Sequence, residues 1–130
     1  CLGADGVQIG SLFAACKESS AHENFKNKIV DLQDGETQLT LKEITPVRLI
    51  KNEFYDEIQN AYKSNASKEE LTNLLSKGRS KKGMFEGDIK NGELEIGQIS
   101  ASINDITSVK EIMNNLCNDF ILQKKHILNL

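Results

Sequence analysis

The residues best placed to do chemistry lie near the start of the chain, in Gly6-Val7-Gln8-Ile9-Gly10-Ser11. Val7, Gln8 and Ile9 form a short β-type run bounded by glycines. A strand that ends at Gly10 and turns sharply leaves backbone N–H groups free, and glycine has no Cβ to hold a ligand away. The N–H groups of Gly10 and Ser11, with the Ser11 hydroxyl, could then hold a phosphate. In (β/α)8 barrels the loops after the last two strands often do this. On spacing alone, Gly-x-x-x-Gly after a strand more commonly marks a tight turn. Gln8 has the same two meanings, an interior hydrogen-bonding group or a ligand contact.

A second group is the basic cluster Lys77, Arg79, Lys81 and Lys82. Its ordinary meaning is a solvated loop. The sharper expectation is a lid in which Lys81 or Lys82 contacts an anionic substrate. Nucleic acid is not expected, since no aromatic residues interleave the cations and the net charge is -3. Cys1, Cys16 and Cys117 are odd in number, far apart and without a Cys-x-x-Cys pair. They form neither a disulfide framework nor a zinc site, so no metal is expected, and Cys16 suits a small buried hydrophobe. A reducing cytoplasm is the default location. No apolar run approaches the roughly 18 residues that span a bilayer, so no membrane partner is expected.

The elements that must position these groups are few. Ser20 and Glu23 have capping-box spacing, and Ala21, Phe25, Ile29 and Leu32 follow on one helical face up to Asp34-Gly35. Thr37 to Leu41 alternates as a short strand would, and Pro46 restrains the chain after it. Phe54, Ile58, Ala61 and Tyr62 stripe a second helix. Ser67 and Glu70 cap a third, with Leu71, Leu74 and Leu75 behind them. Lys77 to Gly97 carries five glycines and many charges, and is expected to be a long ordered loop or a pair of turns. Ser108 and Glu111 open the last helix, with Val109, Ile112, Met113, Leu116 and Phe120 as its apolar face; Gln123 to Leu130 should fray. One strand–helix unit cannot bury a parallel strand on both faces. The chain also runs from Cys1 straight into its first motif with no lead-in. It is therefore expected to be a piece of something larger.

Three motifs bear a resemblance to a known family. Gly3-Ala4-Asp5-Gly6-Val7-Gln8-Ile9-Gly10-Ser11, followed by Glu18-Ser19, resembles the last strand and phosphate loop of nitronate monooxygenases and flavin-type enoyl-ACP reductases. Pro46-Val47-Arg48 with Asn52 resembles their Pro-(Val/Ala)-Arg-x-x-x-Asn segment. Gly97-Gln98-Ile99-Ser100-Ala101 resembles their Gly-Gln element. The motifs occur in the family's order and cover almost the whole chain. Leu12 departs from the arginine often found there.

The resemblance implies an α/β fold: the C-terminal part of a (β/α)8 TIM barrel. Residues 1–35 would supply the last β/α unit of an FMN-binding barrel, and residues 36–130 a mostly helical lid lobe. It implies FMN as cofactor, with Gly10 and Ser11 at the phosphate, Gln8 as a further cofactor-binding residue, and Gln98 near the isoalloxazine or the substrate pocket. The catalytic histidine would lie upstream; His22 and His126 are expected to face solvent. The implied reaction is oxidation of an alkyl nitronate with dioxygen. An NAD(P)H-dependent enoyl thioester reductase is the nearest alternative, with an IMP dehydrogenase-like barrel and a small helical interaction domain behind it. The expected partners are a small-molecule substrate and, in a homodimer, a second copy. The chain alone would be inactive.

Overall fold

A computed structural model describes residues 3–75 and 78–129. Cys1 and Lys77 lie outside the described residues. The elements run α1 (Ser11–Ala14), α2 (Glu23–Val30), β1 (Thr37–Thr40), β2 (Val47–Ile50), α3 (Glu53–Lys63), α4 (Lys68–Leu75), a π-helical turn (Lys81–Phe85), a 3-10 turn (Gln98–Ser102) and α5 (Val109–Leu128).

The sheet is a hairpin. β1 and β2 pair antiparallel, with Thr37 opposite Ile50 and Thr40 opposite Val47. Residues 94–96 line the far edge of β2: Ile50 N–H donates to Leu94 O at 3.0 Å and Ile96 N–H to Arg48 O at 3.1 Å. β2 is therefore a central strand, which explains why Val47, Leu49 and Ile50 are all buried. Its alternate side chains serve two cores. Ile50 packs with Ala15, Phe25, Ile29, Leu32, Leu94, Ile96 and Ile103. Val47 and Leu49 pack with Leu41, Phe54, Ile58 and Leu71. The first core thus draws residues from both sides of position 35.

The expected strand at Val7–Ile9 does not form. Among the described residues no segment pairs with it, and Val7 is 82% exposed. A single strand has no ladder to complete, so the run stays irregular.

α2 begins later than the Ser20–Glu23 spacing predicts. Its N-cap is His22, whose Nδ1 accepts from Asn24 N–H at 3.1 Å. Two tertiary contacts set that position: His22 N–H donates to Met84 O at 2.8 Å, and the imidazole packs on Gly87. His22 is consequently half-buried rather than solvent-facing. Glu23 instead pairs with Lys26 at 3.0 Å. Lys26 is only 2% exposed and also donates to Lys17 O at 3.3 Å, as a buried ammonium requires. Phe25, Ile29 and Leu32 are buried as the periodicity predicts.

The motif residues outside the first segment have structural duties. Arg48 reaches across the hairpin to Thr37 O and Oγ1 at 3.2 and 3.3 Å. Asn52 is the N-cap of α3, accepting from Tyr55 N–H at 3.0 Å, and its amide donates to Ile89 O and Gly92 O at 3.0 and 2.8 Å. Ser67 and Glu70 cap α4 reciprocally, at 2.7 and 3.3 Å. Glu18 accepts from Val109 N–H at 2.9 Å at the start of α5, beside the reciprocal Ser108–Glu111 cap.

The segment 78–97 is ordered and includes the π-helical turn. Arg79 turns inward to Glu57 at 2.8 Å and Asn91 O at 2.8 Å. Asp88 gathers the N–H groups of Lys90 and Asn91 at 3.2 and 2.9 Å. α5 also differs from expectation. It continues through Leu128 instead of fraying at Gln123, yet of its expected apolar face only Ile112 is buried; Met113 and Phe120 are 47% and 70% exposed.

Candidate functional site

The N-terminal segment and the 3-10 turn face each other across a cleft of about 470 Å³. Gln8, Ile9, Gly10, Ser11 and Leu12 form one wall; Ile99, Ser102 and Ile103 form the other. Three of the four sequence-derived cofactor candidates, Gln8, Gly10 and Ser11, therefore share one site. The fourth, Gln98, is exposed on the same 3-10 turn and lines an adjoining hollow with Asp34, Ile99, Ala101 and Ser102.

α1 begins at Ser11 because Gly10 O accepts the first turn's bond from Ala14 N–H at 2.9 Å. The N–H groups of its first residues have no carbonyl of the same helix to meet. Gly10 has φ -106°, which any residue can adopt, and a Cβ built there meets nothing within 4 Å. Neither the backbone nor the packing within this chain calls for glycine at that point. The Ser11 Oγ accepts from Gly97 N–H at 3.1 Å, so its own proton remains available to donate.

The 3-10 turn is held by its own hydroxyls. Ser100 Oγ donates to Gly97 O and Ser102 Oγ to Ile99 O, each at 2.6 Å. Ser100 is fully buried, whereas Ile99 stands 73% exposed at the cleft. Among the described residues no charged side chain lines the cleft. Its walls combine apolar surface from Ile9, Leu12, Ile99 and Ile103 with the neutral polar groups of Gln8, Ser11 and Ser102. That composition suits a largely apolar small molecule oriented by a few polar contacts.

Lys81 and Lys82 line neither space. They sit on the π-helical turn, paired with Glu86 at 3.2 Å and Asp88 at 3.0 Å. Bonds from the Asn91 backbone and from Lys82 lower the Asp88 pKa to about 2. Burial raises the pKa of Glu93 on the segment beside β2, and the charge of Glu95 adds to the rise. Among the described residues no group of three or more His, Cys, Asp or Glu could hold a metal ion, and no helix is long and apolar enough to cross a membrane.

Sequence reasoning missed Ile99, Ser102 and Ile103 as wall residues. The Gly97 to Ser100 motif carries the signal, in which the amide of Gln98 is the more conspicuous group. An apolar Ile99 beside it, on a turn too short to bury both sides, was the other indication.

A family model for nitronate monooxygenase matches residues 1–119. The "Probable nitronate monooxygenase" of Bacillus subtilis (strain 168) is 34% identical over 121 residues, covering 92% of this chain and 35% of that protein. Among solved structures, FabK from Thermotoga maritima superposes with a TM-score of 0.85 at 28% identity, over 98% of this chain and 40% of FabK. A point mutant of the same FabK gives 0.79, again at 28% identity, over 98% of this chain and 38% of its own. The chain thus spans between a third and two-fifths of the length of these relatives. Three motifs in order and a match through 119 of 130 residues lead to one conclusion: the chain belongs to the nitronate monooxygenase family.

Proposed function

We propose that this chain is the C-terminal part of an FMN-dependent oxidoreductase that oxidises alkyl nitronates with dioxygen to a carbonyl compound and nitrite. The observation that carries the reading is Gly10: a glycine that its own chain does not require, facing open space at a cleft. A ligand approaching the backbone supplies the missing reason. Family membership supports a flavin as that ligand.

In this reading the N–H groups of Gly10 and Ser11 and the Ser11 hydroxyl hold the FMN phosphate. Gln8 and Gln98 contribute polar contacts. Ile9, Leu12, Ile99 and Ile103 keep water from the apolar part of the site. The flavin, when bound, supplies the electron transfer, and the protein orients it and the substrate. Residues 1–35 belong to the (β/α)8 barrel and residues 36–130 to the lobe against it, in a cytoplasmic enzyme. Lys81 and Lys82 are the candidates for meeting an anionic substrate, once released from Glu86 and Asp88.

The likeness to FabK favours a second reading, NAD(P)H-dependent reduction of an enoyl thioester at the same kind of site. The test is made on the purified full-length protein. Released FMN and oxygen uptake with alkyl nitronates are expected. NADPH consumption with crotonyl thioesters and no nitronate-dependent oxygen uptake would establish the second reading. A colourless protein with neither activity would sink both.

A further inference from the structure

We propose that Gly97 is a positioning residue. Through the Ser11 hydroxyl it sets the 3-10 turn that carries Gln98 and Ile99, linking occupancy of the phosphate loop to the placement of that turn. The proposal rests on the FMN reading above.

Four observations carry it. Ser11 Oγ accepts from Gly97 N–H at 3.1 Å across 86 residues of sequence. Among the described residues this is the one hydrogen bond joining residues 8–12 to residues 97–103. Gly97 O is held as firmly: it accepts from Ser100 N–H at 3.2 Å and Ser100 Oγ at 2.6 Å. Gly97 therefore has both backbone polar groups engaged, one in each wall of the cleft. Finally, its backbone at φ -70° and ψ 160° suits any residue, but a Cβ there would stand 2.7 Å from Ser11 Oγ. Glycine is needed for the contact alone.

A hydroxyl that accepts on one side and donates on the other polarises in both directions. A phosphate taking the Ser11 proton would make its oxygen a better acceptor for Gly97 N–H. Loss of the Gly97 contact would in turn leave the hydroxyl free to rotate away from the phosphate. The turn with Gln98 and Ile99 then loses the one polar tie to the loop found among the described residues.

The test uses the full-length protein stripped of flavin. FMN affinity is read by fluorescence quenching, and the bound ring by visible-region circular dichroism. Gly97→Ala removes no group proposed to touch the phosphate. It is expected to weaken FMN binding roughly tenfold, the worth of one hydrogen bond near an anion, and to alter the visible spectrum. Ser11→Ala, which cannot clash, should weaken binding at least as much. In the Ser11→Ala background, adding Gly97→Ala should change affinity less than twofold, because nothing remains for its Cβ to displace. Wild-type affinity and spectrum in Gly97→Ala would overturn the proposal while leaving the FMN reading intact. So would independent, multiplicative effects of the two substitutions. If the wild-type protein takes up no FMN, both fall together.

Discussion

The guanidinium of Arg79 lies over the ring of Phe54, 4.7 Å from its centroid, and its two terminal nitrogens reach Glu57 at 2.8 and 3.4 Å. With the bond to Asn91 O, one side chain ties the segment after α4 to both α3 and the turn before residue 94. The side chain is only 14% exposed, so these bonds are less screened than a surface pair's. Arg79→Ala is expected to cost roughly 2–3 kcal/mol, since it strands a carbonyl and uncovers a ring. Arg79→Lys should recover less than half, lacking the planar fork. Urea denaturation of the three proteins checks this.

Asn52 offers a comparable test at a single amide. Asn52→Ala removes the α3 N-cap and leaves Ile89 O and Gly92 O without their donor. The expected loss is about 2 kcal/mol. Asn52→Asp should keep the cap but not the two donated bonds, and fall between. An Asp variant as stable as wild type would show that the bonds to Ile89 and Gly92 contribute nothing.

The pH dependence should have a component from Asp88. Its carboxylate is held at a pKa of about 2 against an ordinary 3.8, chiefly by Asn91 N–H and Lys82. A depressed acid stabilises the fold above its unfolded pKa and loses that contribution as pH falls. The contribution is whole above about pH 5 and fades as pH drops from near 4 toward 2. Asp88→Asn should lower the melting temperature at neutral pH and make the decline between pH 4 and 2 shallower. Parallel thermal melts across that range decide it.

Glu93 carries the opposite sign. Burial, with Glu95 nearby, raises its pKa, so its ionised form works against the folded state. Stability should therefore fall as pH rises through the shifted value. Glu93→Gln is expected to raise the melting temperature at pH 7 to 8, with the advantage shrinking under acid conditions. A variant less stable than wild type at pH 8 would mean that the carboxylate is stabilised by a partner.

Local signals in the sequence were read where local physics decides. The Ser67–Glu70 and Ser108–Glu111 spacings give reciprocal caps because both partners lie within four residues of each other. Ser20–Glu23 has the same spacing and fails, because Met84 and Gly87, more than sixty residues away, fix the helix entry at His22. β2 was hidden for a related reason. A strand buried on both faces loses the alternation that betrays a half-buried one, so Val47-Arg48-Leu49-Ile50 was read only as a motif. The glycines and charges of Lys77 to Gly97 indicate an ordered loop or a pair of turns but do not say what orders residues 78–97. Their order comes from Arg79 and Asp88, whose partners cannot be seen in local composition. At the site, the glycine and hydroxyl of the first wall were legible from chemistry. The second wall was not, because it is made by a turn 86 residues further on.

α5 is tied by hydrogen bonds and a buried side chain at its first turn, and further along Met113, Leu116, Cys117 and Phe120 share an apolar hollow with Val7, Ile9 and Phe13. Glu18, the Ser108–Glu111 cap and buried Ile112 hold its first turn, while the remaining four turns present Phe120, Leu122 and Leu128 to solvent. At 1.5 Å per residue it extends roughly 30 Å, most of it beyond any core side chain. Turns with so few buried side chains are expected to open before the cores on either side of β2. Ellipticity at 222 nm and a probe inside the cores should therefore give different transition midpoints. Midpoints that differ would mean that a single unfolding free energy averages two events; coincident ones would show that helix and cores open as one unit.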